Sequence, residues 1–271
     1  VSIVGHGLTL AALATAVAGA LMLGLWLRAV RTANAAIVDV GWALSFTLVI
    51  VAFAAAARTP AATWAPLAAG VVAWSLRLGL HLARRVLGKP EEGRYRELRR
   101  RWSPRADRAF FVFFQAQALL VGVLSLAIVW PFVTTPHAGA AADAARLAGL
   151  GLIALGVIGE AVADAQLAAF LRRPEHRGRV CDVGLWGWSR HPNYFFEIVV
   201  WVGYAVHAAA YPWGWIAALG PVVIAASILL VTGIPATEAQ SLRSKGDAYR
   251  AYPARTSALV PWPPSPPRSG S

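Results

Sequence analysis

Cysteine occurs once, at Cys181, so the chain cannot close an internal disulfide and no oxidising compartment is implied. Its histidines, His6, His81, His137, His176, His191 and His207, show no metal-ligand spacing, and no metal is expected. No Gly-x-Gly-x-x-Gly follows a strand pattern and no Walker sequence is present, which excludes a Rossmann dinucleotide fold and a P-loop. A nucleophile elbow for a Ser-His-Asp hydrolase is also missing. Charge is scarce: 14% of the residues are Asp, Glu, Lys or Arg, against about 25% in a soluble domain. There is no internal repeat and no alternating strand pattern.

Apolar residues fill that space. They make up 58% of the chain, and the mean hydropathy is +0.55. A helix needs about 20 apolar residues to cross the hydrocarbon core. Seven segments qualify, roughly 4–27, 35–57, 64–87, 109–131, 146–171, 193–210 and 213–234. Backbone polar groups cannot stay open in lipid, so closed helices are the natural form. The expected fold is all-α, a polytopic membrane protein with one seven-helix domain over residues 1–262 and a disordered tail over 263–271. The first apolar stretch lacks a basic leader and is too long for a signal peptide, so it reads as a span. The chain opens on Val1 rather than Met and is expected to begin inside a longer N-terminus.

Basic residues set the orientation. All lysines and arginines except Arg58, Arg77 and Arg146 fall after the first span, between Arg84 and Arg108, between Arg172 and Arg190, or from Arg243 onward. That bias places the N-terminus outside and the C-terminus in the cytoplasm. The net charge of +12 is then mostly one cytoplasmic face, suited to anionic lipid or to an anionic ligand. It tracks topology and lacks interleaved aromatics, so no nucleic acid is expected. The Ala, Gly and Arg richness points to a high-GC bacterium and hence to an inner membrane.

Polar groups inside the spans are few and concentrate in the cytoplasmic half. They are Asp39, the pair Arg77 and His81, the pair Glu160 and Asp164, and the pair Asn193 and Glu197. Each pair is spaced by four, so each lines one helix face. Intramembrane ionisable groups are costly and usually serve a site. The plainer alternative is interhelical ion pairing, for example Arg77 with Asp164; such pairs add little net stability. His207, near the outer end of its span, reads as an ordinary interfacial or packing histidine. The arginine run Arg172, Arg173, Arg177 and Arg179 offers forked donors to phosphates. Asp164, Glu197 and Asn193 offer partners to a carboxamide, ribose or base. The outer half is apolar and suits a lipid-soluble substrate entering from the bilayer.

From Glu160 to Pro261 the chain resembles the steroid 5-alpha-reductase superfamily of integral membrane enzymes. The resemblance rests on Asp164, Arg172-Arg173-Pro174, Gly184-Leu185-Trp186, Ser189-Arg190-His191-Pro192-Asn193-Tyr194 followed by Glu197, and Trp201-Val202-Gly203-Tyr204. It continues through Gly246-x-x-Tyr249-x-x-Tyr252 and Leu259-Val260-Pro261. The first half matches more loosely, through Asp39-Val40-Gly41-Trp42 and Trp74-Ser75-Leu76-Arg77.

The resemblance implies NADPH-dependent reduction of a carbon–carbon double bond conjugated to a carbonyl, with a 3-oxo-Δ4 steroid as the expected substrate. It implies that Asp164, Asn193 and Glu197 hold the nicotinamide and ribose parts. Arg77, Arg172, Arg173 and Arg179 would hold phosphates, and Tyr249 and Tyr252 would close over the cofactor. His81, Glu160, Arg190, His191 and Tyr194 complete the expected cofactor site. Asp39 stands where the steroid enzymes have a glutamate, Trp74 near their tyrosine, and Glu160 where they have a neutral amide. Asp39 and Trp74 are therefore expected to polarise the substrate carbonyl. An acid in that role must be protonated near neutral pH, which burial in a low-dielectric bundle favours. The expected partners are a lipid-soluble enone and membrane lipid, and the expected state is a monomer. Two alternatives stay open: an S-adenosylmethionine-dependent membrane methyltransferase of the isoprenylcysteine or phospholipid type, whose resemblance covers only the final third, and a non-enzymatic lipid binder or transporter. Paired glutamates after the last span would favour the methyltransferase, and here Glu238 stands alone.

Overall fold

The computed structural model describes residues 2–231 and 233–264. The tail expected from residue 263 therefore lies, from residue 265 on, outside the described residues. Among the described residues the chain is helical, and its β pairing is a single isolated bridge between Ser189 and Ser257. The helices are α1 (Ile3–Thr32), α2 (Ile37–Ala55), α3 (Ala61–Val86), α4 (Gly93–Trp102), α5 (Ala106–Ser125), α6 (Trp130–Val133), α7 (Ala140–Leu171), α8 (Leu185–Trp188), α9 (Pro192–Ala208), α10 (Leu219–Ala226), α11 (Ile234–Lys245) and α12 (Asp247–Arg250).

Among the described residues six stretches are long and apolar enough to cross a membrane: α1, α2, α3, α5, α7 and the run Gly214–Lys245. These mark an integral membrane protein. The remaining expected span is α9, whose 17 residues rise only about 26 Å, less than the roughly 30 Å hydrocarbon core. Boundaries shift for local reasons. Ser2 caps α1 by accepting the Gly5 N–H at 3.1 Å. The start of α2 is set by Asn34, which accepts the Ala36 N–H at 3.1 Å, and by Glu91, which accepts the Ala35 N–H at 2.8 Å. The run from Gly214 is not uniform. It passes from a 3₁₀ turn (Gly214–Ala218) through α10 to a π-type turn (Ser227–Val231) before α11. At Gly233 a side chain would collide with the Ile228 carbonyl, and Pro235 follows with no N–H to donate, so the helix is interrupted there.

The chain divides into two compact units. The first holds residues 1–150 and 204–220, and the second 151–203 and 221–271. In the first, α1 packs on α5 and α2, and α2 packs on α3. Small residues permit these approaches: a Cβ at Gly41 would strike Leu25 of α1, one at Gly79 would strike Leu44 of α2, and one at Gly122 would strike Thr15 of α1. In the second, Gly156 and Gly159 of α7 do the same against α9. A Cβ at Gly156 would lie 2.9 Å from both the Phe196 carbonyl and the Val200 nitrogen, and one at Gly159 would enter the Phe196 ring. Glycine three residues apart thus brings the two backbones together and fixes which faces of α7 and α9 meet.

Candidate functional site

In the second unit the α7–α9 contact aligns the polar pairs that the sequence singles out. Asn193 Nδ2 donates to Asp164 Oδ1 at 3.3 Å. One turn further along α9, Glu197 Oε1 accepts the Trp201 indole N–H at 2.8 Å. Glu160, Asp164 and Glu197 are all buried, at 4%, 8% and 8% exposure. Three carboxyl groups withdrawn from water are costly to bury, and pairing them adds little net stability. Asp164 lies eight residues before Arg172, or about 12 Å of helix rise. Arg172, Arg173 and Arg179 follow in a loop, all exposed. That loop folds over a small apolar nucleus of Phe170, Cys181 and Trp186, with His176 stacked on Phe170 at 3.9 Å. The arrangement offers carboxylate and amide groups inside the apolar segment and guanidinium groups at its rim.

Other residues expected at the cofactor are engaged in holding the fold. Arg190 Nε donates to Glu238 Oε1 at 2.8 Å and its Nη1 donates to the Thr256 carbonyl at 2.7 Å. His191 Nε2 lies 3.2 Å from the same Glu238 oxygen, and its ring stacks on Tyr194, whose hydroxyl meets Thr237 Oγ1 at 3.1 Å. Arg190, His191 and Tyr194 thus dock the start of α9 onto α11. Burial lowers the His191 pKa, against the opposing pull of Glu238. The Tyr252 hydroxyl donates to the Trp186 carbonyl and lies 3.3 Å from that of Ser189, which ties it to α8. Tyr249 sits beside Glu238, and burial, with Glu238 next, pushes its phenol up to about 12. The Arg190 N–H bonds the Ser257 carbonyl at 2.8 Å, Ser189 Oγ bonds that of Leu259 at 2.7 Å, and the Trp262 N–H bonds that of Trp188 at 3.0 Å. The Gly-Tyr-Tyr and Leu-Val-Pro motifs therefore act as a clasp around the Arg-His-Pro-Asn segment.

In the first unit Asp39 opens α2, but its carboxylate turns to α4. Oδ1 accepts the Tyr95 hydroxyl at 2.7 Å and Oδ2 is paired with Arg94. Arg94 also bonds the Tyr95 hydroxyl at 3.0 Å and lies over its ring at 4.6 Å. Burial works against the Arg94 charge, yet Asp39, Tyr95 and Glu92 outweigh it and raise its pKa. Burial, reinforced by Asp39, likewise raises that of Tyr95. Asp39 thus accepts on both oxygens from α4. Trp74 is fully buried among Phe46, Trp42 and Tyr204, with ring centroids at 5.2, 6.0 and 6.3 Å. Phe46 lies seven residues, or about 10 Å of rise, beyond Asp39. Arg77 and His81 continue the Trp74 helix by one and two turns.

Sequence reasoning missed Arg94, Tyr95, Glu91 and Arg99. Glu91 takes Arg99 through two bonds, at 2.9 and 3.1 Å, besides capping α2. Their signal was present in α4, where Tyr95, Leu98 and Trp102 recur at helical spacing within a run of arginines. Among the described residues no three His, Cys, Asp or Glu gather to hold a metal ion. No curated protein and no solved structure matches the chain. The family described as "Protein of unknown function (DUF1295)" matches residues 25–256, which is most of the sequence, and the chain belongs to that family.

Proposed function

We propose that the protein is an NADPH-dependent membrane reductase of a carbon–carbon double bond conjugated to a carbonyl, acting on a lipid-soluble substrate such as a 3-oxo-Δ4 steroid. The family is associated with steroid 5-alpha-reductase-like proteins, which agrees with the motif resemblance. The observation that carries the reading is the bond of buried Asp164 to half-buried Asn193 beside buried Glu197, with Asp164 about two helical turns from the start of the exposed run Arg172, Arg173 and Arg179. That donor and acceptor set fits a dinucleotide: amide and hydroxyl groups inside, phosphates at the rim. It fits S-adenosylmethionine less well, because that ligand has no phosphate to meet three arginines.

NADPH, when bound, supplies the hydride. The arginine run binds and discriminates the 2′-phosphate, since a guanidinium pairs with phosphate through two parallel bonds. Asp164 and Asn193 orient the carboxamide end, and the apolar helices keep water away. Negative charge grows on the substrate carbonyl oxygen as the double bond is reduced, and a donor to that oxygen is the role that the resemblance gives Asp39 and Trp74. Asp39, bonded to Arg94 and Tyr95, positions α4 against α2. Completing the reading, α9 serves as a seventh membrane segment, with the N-terminus outside, the C-terminus and arginine run cytoplasmic, and an inner-membrane location. The protein works as a monomer in this scheme.

The test is thermal unfolding of the detergent-purified protein with NADPH, NADH and S-adenosylmethionine. A ligand that binds only the folded state raises Tm by mass action. NADPH is expected to stabilise selectively, and Arg172→Ala with Arg173→Ala to abolish its advantage over NADH. Stabilisation by S-adenosylmethionine alone would establish the methyltransferase instead, and no response to any of the three would leave a non-enzymatic binder.

A further inference from the structure

A second polar cluster lies in the first unit, at the opposite end of α3 from the α4 network. His207, in the last turn of α9, is 1% exposed. Its Nδ1 lies 3.1 Å from the Arg146 carbonyl, which can only accept, so Nδ1 carries the proton and Nε2 presents a lone pair. Nε2 is buried with no hydrogen-bond partner, and so is Nε of Arg146. The His207 ring leans on Tyr211 at 5.7 Å, and the Arg146 guanidinium acts on both. Tyr211, 2% exposed, donates to the carbonyl of Thr63 in the first turn of α3 at 3.3 Å. Thr63 is 23 residues from the end of α3 at Val86, about 35 Å of rise, which separates this cluster from the arginine-rich end by about a membrane thickness.

An orphaned buried donor and an orphaned buried acceptor are each expensive, and together they define what would satisfy them. A phosphodiester or an ionised carboxylate offers only acceptors and would leave Nε2 unpaired. Asp143, 3.4 Å from Arg146 Nη1, already offsets the charge an anion would seek. A hydroxyl does both jobs: its oxygen accepts from Arg146 Nε and its hydrogen goes to His207 Nε2. Trp213 and Trp215, 49% and 70% exposed, stand a few residues on, and tryptophans of this kind settle at the lipid headgroup level. We propose that Arg146, His207 and Tyr211 form a second ligand site that takes the hydroxyl end of an amphipathic lipid alcohol, distinct from the reductase site.

The experiment uses the full-length protein in detergent, with 1-hexadecanol as probe and hexadecyl methyl ether as the control that accepts but cannot donate. Hexadecanol is expected to raise Tm saturably and the ether to leave it unchanged. His207→Asn keeps an N–H for the Arg146 carbonyl and so preserves the fold, but removes the Nε2 acceptor. It should weaken the apparent affinity for hexadecanol about tenfold or more, and Arg146→Leu should do the same. His207→Gln, with its amide at the Nε2 position, should retain part of the response. Equal stabilisation by alcohol and ether, an undiminished response in His207→Asn, or no response to hexadecanol at all would each overturn the proposal, the last leaving water as the occupant.

Discussion

Placing a methyl group at Gly156 tests whether the α7–α9 contact organises the buried carboxylates. Two terms compete. Replacing glycine by alanine inside a helix gains about 1 kcal/mol through propensity. Against this, the new Cβ would stand 2.9 Å from the Phe196 carbonyl and from the Val200 nitrogen, and 2.5 Å from Val200 Cγ2. Two of those three atoms are backbone, so no rotamer change relieves the clash and the helices must separate. Overpacking of this kind costs roughly 1–3 kcal/mol. The net effect of Gly156→Ala is therefore a loss of up to about 2 kcal/mol relative to wild type, and about 1–3 kcal/mol relative to Gly151→Ala. Gly151 lies on the same helix with nothing within 4 Å of its would-be Cβ, so Gly151→Ala keeps only the propensity gain. Gly159→Ala should fall between them, because the atoms it meets belong to the Phe196 side chain. For a chain of this size about 1 kcal/mol corresponds to roughly 2–4 °C in Tm. Thermal unfolding in one detergent should rank Gly151→Ala above wild type, then Gly159→Ala, then Gly156→Ala. If Gly156→Ala matched Gly151→Ala, the close approach of α7 and α9 would be wrong, and the Asp164–Asn193 alignment with it.

Tyr252→Phe removes the hydroxyl that bonds the Trp186 carbonyl and should cost about 1–2 kcal/mol in unfolding free energy while leaving NADPH affinity unchanged; a loss of affinity without loss of Tm would place Tyr252 at the cofactor instead. Tyr95→Phe should destabilise by about 1 kcal/mol, and Arg94→Ala by more, because it leaves the Asp39 charge with a neutral partner alone; equal Tm values for both variants and wild type would remove the α2–α4 link. His191 is held neutral by burial, so its contribution to stability is present above its ordinary value of 6.5 and lost as pH falls below it. Tm should thus decline on acidification, and His191→Gln should flatten that decline; a parallel decline in the variant would assign it to other groups. Asp164→Asn should weaken NADPH binding measured by calorimetry while preserving the bond to Asn193 through its amide oxygen, and unchanged affinity would count against the proposed site.

The helices were legible because lipid leaves a chain few options: an apolar run of sufficient length has to be a helix. The grouping of Asp164, Asn193 and Glu197 as one candidate set was legible for a related reason, since polar groups spaced by four stand out on apolar helices; the direct bond between Asp164 and Asn193 was not predicted. The contacts of Asp39 were not legible. Its partners are 55 and 56 residues away, in a stretch whose arginines were read only as a topological signal. The spacing of Tyr95, Leu98 and Trp102 marks an amphipathic helix, but which acid it meets depends on how α4 folds back under α2. The bond made by Tyr252 was hidden for a different reason. A motif names a residue without saying where its hydroxyl points, and here it points at a carbonyl of its own unit.

The clasp at the C-terminus has a consequence for how the protein is made. Ser189 is separated from its partner Leu259 by 70 residues, and Arg190 from Ser257 by almost as many. During translation the Arg-His-Pro-Asn segment and α9 emerge well before the strap that secures them. Until that strap leaves the ribosome, the Ser189 hydroxyl lacks the Leu259 carbonyl and the Arg190 backbone N–H lacks that of Ser257. The order of synthesis therefore makes completion of the second unit a late event. Premature stops anywhere before Leu259 should yield membrane-inserted chains whose helices are present but whose α9 start is unsecured, visible as protease sensitivity in the 172–190 loop.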